Sequence, residues 1–92
     1  MTGPSTLSGL LDAVLAAGPA CGPDTAELFT GGRGWETFDQ RLRREQRAKA
    51  VCVTCPALWQ CLSYSLALDP VEGVWAGLSQ DDRDGIRAQA AA

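Results

Sequence analysis

The chain has 92 residues, and 24 larger apolar side chains remain once its 14 Ala and 4 Cys are set aside. A domain this small and sparsely apolar often depends on a disulfide, a metal or a partner for its stability. The absence of His excludes Cys₂His₂ zinc fingers and His-dependent catalytic triads, and the net charge of −3 argues against coating nucleic acid or anionic membrane by charge alone.

Two helices are predicted in the first third of the chain. Apolar residues recur at helical spacing after Ser5-Thr6, which can cap a helix, and Gly18-Pro19 ends it. Asp24-x-x-Glu27 is a capping-box pattern, which predicts a short helix that carries Leu28 and Phe29.

Three further helices are predicted after the Gly31–Gly34 break. Thr37-x-x-Gln40 is a capping box for a helix from Phe38 to about Thr54. Pro56 suits the first turn of the next helix, which reaches about Leu68. Ser79-x-x-Asp82 starts the last one. We therefore expect an all-α fold of four to five short helices. It forms one domain over residues 1–92, with a Cys-bearing core at about 20–83 and an acidic, Ala-rich tail at 84–92.

The N-terminal apolar stretch does not read as an export signal. No Lys or Arg precedes Arg33, Asp12 interrupts the run, and no apolar stretch approaches the ~20 residues that span a bilayer. We therefore expect a cytoplasmic protein that does not bind membranes, in which thiols stay reduced and a Cys pattern indicates metal or redox chemistry. A secreted disulfide protein without a signal remains an alternative.

The four cysteines follow a C-x₃₀-C-x₂-C-x₅-C pattern, at Cys21, Cys52, Cys55 and Cys61. On one unbroken helix Cys52 and Cys61 would point about 180° apart and lie roughly 13 Å apart along the axis. Pro56 lets the chain turn, so Cys61 can face back toward the pair and Cys21 can complete the site. The pattern thus predicts a four-thiolate centre, which suits tetrahedral zinc or a [4Fe–4S] cluster equally well.

Two other interpretations of these cysteines fit the pattern less well. A thioredoxin-like C-x-x-C lies at a helix N-terminus, whereas Cys52 falls near a helix C-terminus, where the dipole disfavours a thiolate. Four unrelated buried cysteines would seldom place three within ten positions. We therefore expect a binding module that takes no small-molecule substrate, and not an enzyme.

The cysteine motif resembles that of the WhiB-like proteins of actinobacteria and their phages. Ala50-Val51-Cys52-x-x-Cys55-Pro56, then Cys61-Leu62, precede Gly73-Val74-Trp75-Ala76-Gly77-Leu78-Ser79, and Cys21-Gly22-Pro23-Asp24 is similar to the family's first Cys segment. The resemblance covers residues 20–83. It implies a domain organised around a [4Fe–4S] cluster on the four cysteines that responds to oxygen and nitric oxide, with disulfides in the apo form.

The resemblance also implies a transcriptional role through the C-terminal domain of the primary sigma factor. The protein would then bind promoter DNA weakly or only through that complex. A disulfide-reductase activity of the apo form is a further alternative. Partner contacts are expected at five positions: Phe29, Gly73, Val74, Trp75 and Gly77.

The chain departs from the family pattern at three places. Phe29-Thr30 replaces two aromatic residues, and Ala76 replaces a Gly, a mild change provided that this position does not need a positive φ. A basic tail is missing, because the residues after Ser79 carry Asp81, Asp82 and Asp84. Strong DNA binding by this chain alone is therefore not expected.

A basic stretch and two tryptophans complete the candidate residues. The basic stretch is expected to be either a solvated helix face, with a Glu45–Lys49 pair, or a steering patch for phosphates or an acidic partner. Its members are Arg41, Arg43, Arg44, Arg47 and Lys49. Trp75 is expected both to pack near the cysteines and to contact the partner. Trp59 is expected to be core or to shield the centre.

Overall fold

The computed structural model describes residues 6–31, 34–68 and 72–91, which form five helices. The helices are α1 (Leu7–Ala17), α2 (Ala26–Thr30), α3 (Phe38–Val53), α4 (Leu58–Ala67) and α5 (Gln80–Ala91). Among the described residues, sheet-type pairing is confined to an isolated bridge between Trp75 and Leu78. The all-α prediction is confirmed.

Local capping chemistry fixes both ends of α1. The Gly9 N–H donates to Thr6 Oγ1 at 3.1 Å, and Ser5 lies outside the described residues. At the other end Gly18 adopts a left-handed φ of 76°, and its N–H donates to the Leu15 carbonyl. The first helix therefore begins and ends where the sequence predicts.

The predicted capping box of α2 is wrong. The helix begins at Ala26 after Thr25, whose side chain makes no cap bond. Thr25 Oγ1 instead accepts from the Gly22 N–H at 3.1 Å, and the Thr25 N–H donates to the Gly22 carbonyl at 3.0 Å. This tight turn places the first helical residue one position later than an Asp24 cap requires.

The remaining helix starts follow the sequence more closely. Thr37 and Gln40 form a complete capping box on α3, with bonds of 3.0 and 2.8 Å. Ser79 and Asp82 form another on α5, with bonds of 2.9 and 3.2 Å. In contrast, α4 begins two residues after Pro56, which lies in the preceding turn.

The predicted tail is part of the helical fold over its described length. Residues 84–91 continue α5, and the Arg87 guanidinium donates to the carbonyls of Ser65 and Leu66, near the C-terminal end of α4, at 3.3 and 3.2 Å. Those carbonyls belong to the last turns of α4, where backbone acceptors are left without helical partners. The tail is thereby held against α4.

The buried core is small and includes one of the cysteines. Ala48, Cys52 and Val74 form it, and Leu28, Phe29 and Leu58 pack against it. α1 packs on α4 and α2 packs on α3. No helix in residues 6–31, 34–68 or 72–91 combines the length and apolar character needed to cross a membrane.

Candidate metal centre

All four cysteines line one cavity of about 360 Å³. Cys21 comes from the loop after α1, Cys52 from the last turn of α3, Cys55 from the following turn and Cys61 from α4. The rest of the wall is mainly apolar and includes Leu11, Val14, Leu15, Phe29, Val51, Leu58, Val74 and Trp75. The structure therefore brings together the four thiols that the sequence predicts as one centre.

The turn around Pro56 makes this convergence possible. The Cys55 N–H donates to the Cys52 carbonyl at 3.0 Å, and the Leu58 N–H donates to the Cys55 carbonyl at 3.2 Å. These consecutive turns end α3 and start α4 in a new direction. Cys61 thereby escapes the opposed orientation that one continuous helix would impose.

A second turn closes the cavity from the side of the glycine-flanked tryptophan. Trp75 and Leu78 exchange backbone hydrogen bonds of 2.9 and 3.0 Å across Ala76 and Gly77. Ala76 has a φ of 56° and Gly77 a φ of 76°. Two positive φ angles at the central residues are the pattern of a type I′ turn. Ala in place of Gly at position 76 is therefore not the mild change that the sequence suggested, because this position takes a positive φ.

Backbone amides lie near three of the four sulfurs. The N–H of Gly77 lies near the Cys52 thiol and that of Ala76 near the Cys61 thiol, and each acts to lower the pKa of that thiol. The Ala20 N–H donates to Cys55 Sγ at 3.3 Å. The sequence did not indicate Ala20 or Ala76 as functional residues, because a backbone donor leaves no side-chain signal. Gly73 and Gly77 predicted a turn, but they did not indicate that two N–H groups of this turn lie near cysteine sulfurs.

Burial raises the pKa of two of the four cysteine thiols. It raises the pKa of Cys61 to about 11, with the Ala76 N–H opposing the rise. It also raises the pKa of Cys52. Both thiols are consequently protonated at neutral pH and are poor nucleophiles. The site is better suited to thiolates created by metal binding than to thiol–disulfide exchange.

The donor set fits a soft metal ion or an iron–sulfur cluster. Thiolates are the preferred ligands of iron–sulfur clusters and of zinc, and most of the cavity wall is apolar. No three of the described His, Cys, Asp and Glu side chains are grouped tightly enough to hold one metal ion. The thiol donor set is compatible with either a zinc ion or an iron–sulfur cluster.

Comparison with known proteins agrees with this geometry. Residues 16–86 match the family model described as "Transcription factor WhiB". The chain belongs to the WhiB family. It is 44% identical over 55 residues to the redox-responsive transcriptional regulator WhiB3 of Mycolicibacterium smegmatis, covering 54% of this chain and 57% of that protein.

Two other WhiB-family relatives align over more of the chain. The transcriptional regulator WhiD of Streptomyces coelicolor is 37% identical over 71 residues, which cover 77% of this chain and 62% of that protein. The transcriptional regulator WhiB1 of Bifidobacterium longum is 36% identical over 73 residues, covering 77% and 74%. The alignment thus spans 57–62% of the length of WhiB3 and WhiD.

The WhiB-family tryptophan turn is partly buried and tied to α2. Trp75 is half-buried, its ring lies 5.8 Å from that of Tyr64, and its Nε1–H donates to the Glu72 carbonyl at 2.8 Å. Val74 is buried, and its N–H donates to the Phe29 carbonyl at 2.8 Å. Of these predicted partner residues, Trp75 and Phe29 retain partial exposure, whereas the Val74 side chain belongs to the core.

Gly73 is fixed by the same contact between the turn and α2. Its φ is 89°, and a Cβ at this position would lie 2.5 Å from the Phe29 carbonyl oxygen. Gly77 has space for a Cβ, since the nearest atom would be Cys52 Cβ at 3.7 Å. Close packing therefore requires Gly73, whereas only the backbone conformation requires Gly77.

The prediction that Trp59 is core or shields the centre is wrong. Its side chain is 73% exposed. Trp59 lies about 160° around α4 from Cys61, given 100° per residue. The cavity-facing side of the helix is therefore almost opposite to it.

Most of the predicted basic stretch is engaged in ion pairs. Arg44 bonds both carboxylate oxygens of Glu36, at 3.1 and 2.7 Å, and Lys49 Nζ lies 2.9 Å from Asp82. Arg41 lies 3.5 Å from Asp81. Arg43 and Arg47 are exposed. Only these two present their charge fully to solvent.

The expected Glu45–Lys49 pair does not form, and each residue contacts another partner. Glu45 lies 4.0 Å from Arg41, one turn earlier on α3. Lys49 reaches α5, where Asp82 is already held by the Ser79 N–H. The capping box fixes the carboxylate in place before any pairing, which makes it the better partner for the ammonium group.

Proposed function

We propose that this protein is a redox- and nitric-oxide-responsive transcriptional regulator that binds a [4Fe–4S] cluster through four cysteines. The observation that carries the proposal is the convergence of Cys21, Cys52, Cys55 and Cys61 on one apolar cavity. Family membership supports the regulatory role. The zinc-stapled interaction domain remains the alternative that metal content must exclude.

The chain's own residues would hold and shield the centre. The four thiolates would supply the ligands, and the amides of Ala20, Ala76 and Gly77 would donate to three of the sulfurs. Such hydrogen bonds and the apolar wall are among the means by which proteins tune the potential of iron–sulfur centres. When bound, the cluster supplies one-electron chemistry and reactivity toward oxygen and nitric oxide.

The coupling from the centre to a partner would run through the tryptophan turn. The backbone N–H groups of Ala76 and Gly77 lie near cysteine sulfurs, while Trp75 in the same turn is half-buried. Loss of ligands would release these amide contacts and free the turn. Binding of a partner at Trp75 would then depend on whether the centre is intact, as expected for a two-state regulatory element.

The partner we propose is the C-terminal domain of the primary sigma factor, with promoter DNA reached through that complex. The net charge of −3 and the engagement of Arg41, Arg44 and Lys49 by carboxylates disfavour strong autonomous DNA binding. DNA binding by the isolated protein should therefore be weak and should fall steeply with salt.

Metal analysis tests the cofactor. Protein purified under anaerobic conditions should contain iron and acid-labile sulfide and absorb visible light, and Cys61→Ser should lose that absorbance. A colourless protein with one zinc per chain would establish the zinc-stapled domain instead. Reductase turnover by the apo protein that Cys52→Ser abolishes would contradict our view that the chain is not an enzyme.

Co-purification tests the partner. The anaerobic protein should retain the sigma-factor domain on a column, and Trp75→Ala should abolish retention with iron content unchanged. Trp59→Ala is the matched control, because Trp59 is exposed on the opposite side of α4. Failure of the wild type to retain the domain, or equal loss with both variants, would refute this part of the proposal.

A further inference from the structure

A second cavity, of about 170 Å³, adjoins the start of the tryptophan turn, and we call it the polar pocket. Glu72 and Gly73 line it beside that turn, and Thr30 lines it at the end of α2. Side chains of α3 and of the first turn of α5 complete its wall. Because Gly73 packs against the Phe29 carbonyl, the pocket adjoins both segments that carry the expected partner contacts.

The charges around the polar pocket are predominantly negative. The three carboxylates and two guanidinium groups that line it belong to Glu45, Glu72, Asp81, Arg41 and Arg44. The Arg44 guanidinium is bonded to both carboxylate oxygens of Glu36, at 3.1 and 2.7 Å, which adds a fourth carboxylate. Arg41 lies 3.5 Å from Asp81 and 4.0 Å from Glu45. The excess of carboxylates makes the pocket complementary to a cationic side chain.

Exposed apolar side chains lie beside the polar pocket on α3. Phe38 is 66% exposed and Leu42 is 40% exposed. They are four residues apart and therefore share one face of the helix. The Arg41 guanidinium carbon lies 5.5 Å from the centre of the Phe38 ring, so this face borders the pocket at Arg41. Aromatic and Arg side chains of this kind are enriched at protein–protein interfaces.

The tryptophan turn alone is too small for a stable interface. Such an interface buries roughly 800 Å² on each partner, whereas one aromatic side chain supplies about 150–250 Å². Trp75 and Phe29 are both partly buried within the chain and offer less than that. A partner bound at this turn therefore covers neighbouring surface as well, and the polar pocket and the Phe38–Leu42 face adjoin the turn.

We propose that the polar pocket and the Phe38–Leu42 face extend the partner-binding surface of the tryptophan turn. This inference rests on the proposed function, because the occupant is the same sigma-factor domain. A domain that binds promoter DNA carries Arg and Lys side chains on its surface. One of these cationic side chains occupies the polar pocket, and an apolar side chain next to it packs against Phe38.

Affinity for the sigma-factor domain tests the apolar part of this surface, with anaerobically purified proteins compared at equal iron content. Phe38→Ala should weaken binding at least about fivefold, as expected for an aromatic residue at an interface. Val53→Ala is the matched control, because Val53 is 76% exposed at the opposite end of the same helix. The control should stay within about twofold of the wild type.

Salt dependence of the same affinity tests the cation in the polar pocket. Glu72→Gln should weaken binding about threefold at low salt, and the difference should shrink as salt screens the pair. Asp84→Asn removes the same charge away from the pocket, where Asp84 lies 3.5 Å from Arg87. This control should change the affinity by less than about twofold.

The wild type separates the possible outcomes. A loaded wild type that does not bind the sigma-factor domain refutes the proposed partner, and this inference with it. Binding by the wild type that Phe38→Ala leaves unchanged, or that Val53→Ala weakens equally, refutes the extended surface alone. Equal effects of Glu72→Gln and Asp84→Asn would overturn the assignment of a cationic side chain to the polar pocket.

Discussion

Ala76 offers a sharp test of the turn geometry, because the substitution Ala76→Gly should stabilise the protein. Its φ of 56° is a left-handed conformation. That conformation costs an L-residue with a Cβ roughly 1–2 kcal/mol and costs glycine almost nothing. Glycine also lowers the free energy of unfolding by about 0.4–1 kcal/mol, because it gives the unfolded chain more conformational freedom. The net gain should be about 0.5–1 kcal/mol, where Ala→Gly elsewhere usually destabilises.

Gly77→Ala is the matched variant in the same turn. Gly77 has a φ of 76°, and its added Cβ would meet Cys52 Cβ at an ordinary contact distance of 3.7 Å. The loss of about 0.5–1 kcal/mol is therefore conformational rather than steric. The two substitutions should shift stability by similar amounts in opposite directions.

Urea titration of anaerobically purified proteins with equal iron content measures both effects. Helicity and tryptophan fluorescence should report the same transition, and the midpoint should move without a change in slope. For a domain of this size the gain corresponds to roughly 2–8 °C in Tm. An Ala76→Gly midpoint below that of the wild type would refute the left-handed assignment of Ala76.

Three further predictions concern packing, capping and pH. Gly73→Ala should destabilise by at least about 2 kcal/mol in the same titration, because the Cβ would lie 2.5 Å from the Phe29 carbonyl; a loss no larger than that of Gly77→Ala would contradict this contact. Thr37→Ala should cost about 1 kcal/mol, since it removes the acceptor for the Gln40 N–H, and unchanged helicity and midpoint would argue against the cap. The hydrogen bond with Lys49, followed by that with the Ser79 N–H, lowers the pKa of Asp82. Ionised Asp82 therefore contributes fully to folding stability above the usual carboxylate pKa, and this contribution is lost as the pH falls below about 4. The urea midpoint should fall less steeply between about pH 5 and pH 3 in Asp82→Asn than in the wild type, and equal slopes would refute this contribution.

Acid also releases metal from thiolates, so only the difference between wild type and Asp82→Asn is informative in the pH experiment. Asn can still accept the Ser79 N–H, and the substitution therefore removes the charge while keeping the cap. Glu36 has a lowered pKa for the same kind of reason, because Arg44 bonds its carboxylate. The residual acid sensitivity of Asp82→Asn is expected to include this pair.

Local chemistry predicted the helices well, and its one capping error is informative. Thr37 and Ser79 cap as expected, because each cap involves residues only three positions apart. The pattern at Asp24 has the same letters, but the Gly22–Thr25 turn competes for that segment. A capping motif is therefore decisive only where no neighbouring turn satisfies the same backbone groups.

Contacts between distant segments limited the prediction of the site. Trp59 and Trp75 are the same residue type, yet the rotation of α4 leaves Trp59 exposed, whereas the turn before α5 places Trp75 in the cavity wall. Arg83 reads as one of several charged residues near the C-terminus, yet it is fully buried. Neither outcome has a signal in the spacing of neighbouring residues.

The sequence by itself predicted that the four cysteines converge, because Pro56 lets the chain turn after Cys55 and the lack of His leaves thiols as the soft ligands. Only the tertiary structure decided which backbone amides reach the sulfurs, that Ala76 takes a left-handed conformation, and that acidic residues of α5 pair with the basic residues of α3. The physical reason is one of range. Spacing along the chain encodes turns and helix faces, whereas burial, backbone donors and ion pairs depend on which segments pack together.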